Sequence, residues 1–525
     1  MKTDTNTRMH ADMNTSADPG THAKTRTGVL GARIEDAPDA FKRAMRVAVI
    51  IAIVITTTVT CSHLEYFGIP TAASGNTSPS WYTEDAQSEY DELAEALLSG
   101  SVQLPEEPPT WLNAMDNPYD TEARDVLEEQ TGELYKWDWA YFEGHYYVYF
   151  GIVPCLLFFV PYHLITGGGL LPTGIPVLVT LIAYIIGLAA LLSSIAKSRF
   201  PRVRIRDALI AFAGAFLCSG LVYAASYPSL YQIPATTSLA FSIWGLFFWW
   251  RAYESDRTSF YAAGSVCIAF LLGCRPPMVA VALFGLFPLV RLMKRENGRI
   301  ARFCALALPF LVAAAGVCAY NYARFGSPLN FGATYNLTAV DLTTRSFNLA
   351  QIPVGLYHYL IQLPELSASV PFLLPVDLSY AFSMGDFLED MPGGILACMP
   401  FLWTVFFCWY NKSARWSVLP VLCAVCVCVI LIVADAMFGG IAGRYQMDFC
   451  FLFAVAAGVA ALGLTTLDSG TSNCSVADGN SSSIGSAQAT ERTLDGGSRL
   501  LSALPSIGVV LALLFNVALI LFLMV

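Results

Sequence analysis

Apolar positions along this chain fall into long unbroken runs, not into the alternating or three-to-four-residue spacing of half-buried elements. Gly174–Ala196 and Ile507–Val525 each hold more than 18 nearly uncharged residues. A helix needs about 20 such residues to cross a hydrocarbon core of roughly 30 Å. The pattern predicts spans near 46–64, 172–196, 207–226, 233–251, 259–274, 277–293, 303–322, 392–410, 416–435, 446–466 and 500–525. The expected fold is therefore an all-α polytopic membrane protein with about 11 transmembrane helices, plus juxtamembrane or re-entrant helices. Residues 1–45 are polar and carry no apolar core, so they read as a disordered tail and not as a cleavable signal peptide. Lys42, Arg43 and Arg46 precede the first run, which makes it a signal anchor with its N-terminus in the cytoplasm. Residues 467–499, rich in Ser, Thr, Gly and Asn, read as a disordered cytoplasmic loop before the last span at 500–525. The hydropathy pattern shows no internal repeat and no inverted symmetry.

One run is ambiguous. Tyr146–Gly169, "YYVYFGIVPCLLFFVPYHLITGGG", is apolar enough to enter a bilayer but is interrupted by Pro154 and Pro161. Cytoplasmic flanks hold the excess of Lys and Arg. If the run crosses, alternation puts 12 basic residues inside and 18 outside; if it does not, the split becomes 24 inside and 6 outside. The second arrangement wins. Tyr146–Gly169 is then an interfacial or re-entrant segment, where protein or water can re-satisfy the backbone that the prolines interrupt.

This topology leaves two large outer loops, 65–169 and 321–391. The first carries 18 acidic residues against two basic ones, Arg124 and Lys136. Within it, Tyr82–Gly100 predicts an amphipathic helix with Tyr90, Leu93, Ala96 and Leu97 on one stripe and acidic residues elsewhere. Glu84 and Asp85 precede that helix, where a carboxylate can cap it or reach into a cleft. Asp116–Asp120 is a turn signature. Trp137-Asp138-Trp139 sets a carboxylate between two indoles, suited to holding a sugar hydroxyl while an aromatic face stacks on the ring. Tyr146, Tyr147 and Tyr149 suit the headgroup level.

Charge and cysteine usage narrow the classes further. Three outer arginines, Arg275, Arg324 and Arg444, fall at span ends on the side where arginine is disfavoured. Together they suggest an anionic ligand at headgroup depth, since guanidinium binds phosphate oxygens bidentately. Asp448, a turn inward, could orient Arg444. Thirteen of 14 cysteines lie in or beside apolar runs and read as buried small hydrophobes. The six histidines form no ligand cluster, and no Walker A, HExxH or GxSxG motif occurs. The net charge is −10, and no nucleic-acid partner is expected. The acidic loop could take Mg²⁺ or Mn²⁺, but solvated acidic surface is the simpler reading, and no metal ligands are assigned.

The motifs "NPYD" (Asn117–Asp120) with Arg124, Trp137–Pro154, Arg275-Pro276, Tyr320–Thr338 and Arg444–Phe449 occur in an order that resembles the GT-C membrane glycosyltransferases. The resemblance extends to the dolichyl-phosphate-mannose-protein mannosyltransferase-like and lipopolysaccharide-core galacturonosyltransferase-like groups, and covers roughly residues 46–460. It implies a polyprenyl-phosphate-linked sugar donor, a glycan, lipid or protein acceptor, and inversion in a single displacement. It also implies a carboxylate base in the first outer loop: Asp85, with Glu84 beside it and Asp91 as the alternative allowed by a one-residue difference in spacing. Arg275, Arg324 and Arg444 (with its neighbour Tyr445) would contact the lipid phosphate, Asp138 would bind the acceptor or support a metal, and Trp137, Tyr146 and Tyr149 would wall the outer cavity in which the lipid-linked sugar sits. No cofactor is required. The expected setting is the outer face of the cytoplasmic membrane. Two other readings stay open: a transporter or flippase of lipid-linked glycans, which would want ionisable residues deep in the spans, and a non-catalytic scaffold of an envelope-polymer complex.

Overall fold

A computed structural model of the protein describes residues 29–63, 67, 88–295, 297–344, 349–382, 389–410, 412–466 and 487–524. Helices dominate, and the strands among the described residues form two short antiparallel pairs. Among the described residues, seven helices are long and apolar enough to cross a membrane: α1 (Pro38–Thr60), Gly174–Arg199, Pro276–Met293, Arg299–Phe325, Arg415–Gly439, Gly443–Thr465 and Leu500–Leu523. The protein is an all-α membrane protein in its overall class.

Between α1 and the next long helix lie α2 (Glu89–Leu98), α3 (Thr121–Thr131), the hairpin β1 (Ala140–Phe142) with β2 (His145–Tyr147), and α4 (Ile152–Thr166). There follow α5 (Gly174–Arg199), α6 (Ile205–Leu217), α7 (Gln232–Ser255), α8 (Thr258–Gly273), α9 (Pro276–Met293), α10 (Arg299–Phe325), α11 (Arg415–Gly439), α12 (Gly443–Thr465) and α13 (Leu500–Leu523). The expected span 207–226 is broken: α6 stops at Leu217, Gly220 takes a positive φ of 79°, and a short helix resumes over Leu221–Ser226. The region 392–410 is likewise a one-turn helix, Ile395–Cys398, followed by 3-10 turns over Pro400–Phe407. These breaks account for two of the expected spans that are not long apolar helices; of the others, Gln232–Ser255 is continuous but less apolar, and Thr258–Gly273 is apolar but short.

Burial grades from centre to rim. Every residue of α12 from Gln446 to Thr465 is buried, whereas α10 is 11% buried in its most apolar window. On α1, Ala52 and Thr56 face the bundle while Ile50, Ile51 and Val54 face outward. A contiguous stripe of outward-facing apolar side chains on so long a helix suits a lipid-facing surface.

The segment from Tyr146 to Gly169 does not form a long helix. β2 takes its first residues, and α4 extends only about 22 Å at 1.5 Å per residue, short of the roughly 30 Å hydrocarbon core. Pro161 has no N–H to give Leu157, and the chain absorbs this with a widened turn over Cys155–Phe159 in which Val160 N–H donates to Cys155 O. Gly167, at φ 72°, closes the helix through an N–H bond to His163 O.

Two boundaries differ from the sequence reading. Residues 29–37 are tied to the α5–α6 connection, with Ile34 N–H donating to Val203 O at 3.0 Å and Ile205 N–H to Ala32 O at 2.9 Å, and α1 starts at Pro38. At the other end, the helix that contains α13 starts at Ala487, so the last part of the expected 467–499 loop is helical.

Candidate functional site

A cavity of about 840 Å³ opens where the first long loop, the second long loop and the N-terminal ends of α7 and α12 converge. The loops are stapled together beneath it. Asp138 N–H donates to Leu337 O and Leu337 N–H to Trp139 O, both at 2.9 Å. Arg124 is fully buried and donates to Pro118 O at 2.8 Å and to Thr338 O at 2.7 Å. Asn117 Nδ2 reaches Asp341 Oδ2 at 3.0 Å, and Asp120 caps α3 through Ala123 N–H. The Asn117–Arg124 motif is thus the joint between the two loops.

Asp138 stands at the polar wall. Its φ of 65° is uncommon for a residue with a side chain, although Asp tolerates it better than most. The carboxylate accepts hydrogen bonds from Asn336 Nδ2 and, at 3.3 Å, from the Tyr149 hydroxyl. The Tyr231 hydroxyl lies close enough to help stabilise the same carboxylate. Burial pushes the Asp138 carboxyl above the usual aspartate range, while Tyr231, Asn336, the Arg444 charge and Tyr149 pull against it. Burial, followed by the Asp138 charge, likewise raises Tyr149 and Tyr231 and keeps both hydroxyls protonated as donors.

Arg444 stands across the cavity. It pairs with Glu389 Oε2 at 3.1 Å, and Tyr223 donates to the other oxygen of that carboxylate at 2.8 Å. Its guanidinium lies 4.6 Å from the Tyr231 ring centroid and 5.2 Å from that of Tyr445. Trp137 and Tyr445 complete this aromatic lining, while Leu373, Phe438, Phe522 and Leu523 form an apolar side. Phe438 is 72% exposed, so that side opens outward. One wall can therefore grip hydroxyls and an anion, and the other can accept hydrocarbon.

The remaining residues singled out from the sequence lie elsewhere. Arg275 sits one layer below, bonded to Asp448 Oδ2 at 2.5 Å and 3.7 Å from Asp435 Oδ1, with its guanidinium 4.9 Å from the Tyr445 ring centroid. Asp448 therefore orients Arg275 and not Arg444. Arg324 is buried behind β2, bonded to Val148 O and Asn321 Oδ1 and stacked 3.9 Å from the Tyr320 ring centroid. Tyr146 is also buried; its hydroxyl accepts the Lys136 N–H at 3.2 Å, and neither it nor Arg324 lines the cavity. Asp91 is committed to scaffolding. One oxygen accepts from His163 Nε2 at 2.9 Å and Leu171 N–H at 3.1 Å, and the other accepts from the Ser88 hydroxyl at 2.6 Å. This locks α2 to α4 and to the turn before α5. Glu84 and Asp85 lie outside the described residues.

Sequence reasoning missed Glu89, Glu389, Tyr231 and Asn336. Only Glu95 of the α2 acids is exposed; Glu89, Asp91 and Glu92 are buried, so the helix is enclosed and not half-solvated. Glu89 Oε2 has no hydrogen-bond partner among the described residues. Burial, and then the Asp138 charge, hold the Glu89 carboxyl well above the glutamate range. The Tyr223–Gln232 stretch offered a signal in its tyrosine density, but tyrosines at span ends read equally as a membrane belt. Among the described residues no three His, Cys, Asp or Glu side chains gather as a metal site. In comparisons with known proteins, the chain matches no family model, no curated protein and no solved structure.

Proposed function

We propose that the protein is a membrane glycosyltransferase of GT-C type, moving a sugar from a polyprenyl-phosphate carrier to a cell-envelope acceptor. The observation that carries this reading is the division of the 840 Å³ cavity into a hydroxyl- and anion-gripping wall, with Asp138, Asn336 and Arg444, and an outward-opening apolar wall. A lipid-linked sugar has that same division. In the proposed reaction a carboxylate takes the proton of the acceptor hydroxyl as its oxygen attacks the anomeric carbon. The carbon–oxygen bond to the lipid phosphate breaks in the same step, the phosphate leaves with the electron pair, and the configuration inverts. Arg444 steadies the developing phosphate charge. Asp85, three residues before the Ser88 cap of α2, is the proposed base, with Asp138 holding the acceptor.

The proposed setting follows the Lys/Arg asymmetry: about 11 crossings counting the short and broken ones, cytoplasmic N-terminus, and the cavity at the outer face of the plasma membrane. The test is transfer from a synthetic polyprenyl-phosphate sugar by the purified chain in proteoliposomes. Arg444→Gln should lower kcat/KM by about 10²-fold or more, as expected for losing a charge-stabilising group, and Asp138→Asn should raise the KM for the acceptor by weakening its grip. Unchanged transfer in both would remove the cavity from the mechanism. An Asp85→Asn variant with full activity would remove that residue alone.

The Arg275–Asp435–Asp448 cluster favours a second reading, translocation of a lipid-linked glycan, because ionisable groups within spans commonly mark transport paths. Movement of labelled lipid between leaflets without any transfer product would select it.

A further inference from the structure

A second cavity, of about 270 Å³, lies at the opposite end of the bundle. The helix axes establish that placement. α7 begins beside Tyr231, which lines the large cavity, and ends beside Trp250 and Tyr253, which line the small one. At 1.5 Å per residue these ends are about 30 Å apart, the thickness of a hydrocarbon core. The small cavity is apolar over most of its wall. Leu452, Val455, Ala456 and Val459, one stripe of α12, form its floor.

Its mouth is different. The Arg199 guanidinium lies 5.3 Å from the Trp416 ring centroid, 5.5 Å from Trp250 and 6.0 Å from Tyr253. The Arg291 guanidinium lies 4.8 Å from the same Tyr253 ring. Ion pairs are formed nearby, since Glu254 bonds Arg251 at 3.4 Å and Asp256 takes Arg302 at 3.3 Å. Neither Arg199 nor Arg291 has a carboxylate within ion-pair distance among the described residues. Trp250 Nε1 is buried and has no hydrogen-bond acceptor there either. A buried donor without a partner destabilises the empty site, and an acceptor supplied by a ligand would satisfy it.

We infer that this cavity is a binding site for one anionic phospholipid of the leaflet at that end of the bundle, with its phosphate between Arg199 and Arg291 and part of an acyl chain along the α12 stripe. Aromatic rings pre-orient the Arg199 fork, which lowers the entropy lost on gripping a phosphate. Trp250 Nε1–H supplies a hydrogen bond to a phosphate or ester oxygen. A zwitterionic lipid brings the same phosphate together with a cation that the two guanidiniums repel. The site is distinct from the large cavity and rests only on the chain being a membrane protein, not on the transferase reading.

The test is native mass spectrometry of the full-length protein in detergent, titrated with phosphatidylglycerol or phosphatidylcholine of matched chains. One phosphatidylglycerol should be retained about tenfold more strongly than phosphatidylcholine. Tenfold corresponds to about 1.4 kcal/mol, within reach of one charge-assisted bond. The Arg199→Gln/Arg291→Gln double variant, checked for an unchanged elution profile and melting temperature, should lose that preference, and Trp250→Phe should weaken it. Equal retention of the two lipids by the wild type would overturn the proposal. So would undiminished preference in the double variant. Displacement of the lipid by inorganic phosphate at equal concentration would also overturn it, because the apolar cavity would then contribute nothing.

Discussion

Glu89 shows what one residue can do when the chain around it closes. It is the first helical residue after the Ser88 cap, a position where a carboxylate favours the helix dipole, yet it is 4% exposed and its charge lies close to that of Asp138. Its pKa is raised on folding, so the folded state keeps a proton that the unfolded chain releases. Stability is then full at pH values below the ordinary glutamate pKa of about 4.5 and falls as pH rises toward the folded value. Glu89→Gln copies the protonated shape and removes the titration. Thermal unfolding in detergent should show the wild type losing stability relative to Glu89→Gln as pH rises from about 4 to 8, with the midpoints closest at the acid end of that range. Parallel curves over that range would mean that Glu89 is already ionised in the folded protein. No hydropathy pattern marks this residue. Its burial depends on α4 folding back over α2, a contact made through residues more than 60 positions away, such as Tyr90 to Gly151.

The elements that were legible from sequence are those whose signal is local. α5, α10 and α12 appear close to their expected bounds because each is a run of apolar residues bounded by charge or glycine. Those that were not legible are broken from within, as α6 is at Gly220, or wound as 3-10 turns, as Pro400–Phe407 is. A hydropathy window averages across such breaks. α4 belongs to both groups. Its prolines and the basic-residue count already argued against a crossing, and its short length agrees, but the widened turn between the prolines was not visible. The consequence is a topology with a direct chemical readout. In a cysteine-depleted background, single cysteines at His145 and Leu170, both exposed, flank the segment. A membrane-impermeant maleimide should label both from the same side of sealed vesicles. Labelling from opposite sides would make Tyr146–Gly169 a crossing and would invert the loops that follow it.

Across the whole molecule, two ends of one bundle carry different chemistry because one helix connects them. Tyr445 at the start of α12 lines the large cavity, and Val459 near its other end lines the small one. Between them the helix is completely enclosed. Helices in a membrane gain no hydrophobic driving force from meeting one another, so close packing of small residues has to hold such a centre. Gly458 packs against α6 and α5: an added Cβ would lie 3.3 Å from Ala211 O, 3.4 Å from Ala215 Cβ and 3.4 Å from Leu192 Cδ1. A backbone carbonyl cannot swing aside as a side chain can. Gly316, on the peripheral α10, is the matched control, since a Cβ there meets nothing within 4 Å. Replacing either glycine by leucine gains similar helix propensity, about 1 kcal/mol, but only one replacement overpacks the core. Gly458→Leu should lower stability by about 1–3 kcal/mol, read as a lower melting temperature in detergent, while Gly316→Leu leaves it unchanged or slightly higher. If Gly458→Leu melted with the wild type, α12 would not be the clamped centre of the bundle. If Gly316→Leu were the damaging change, the exposed face of α10 would be packed against another protein and not against lipid.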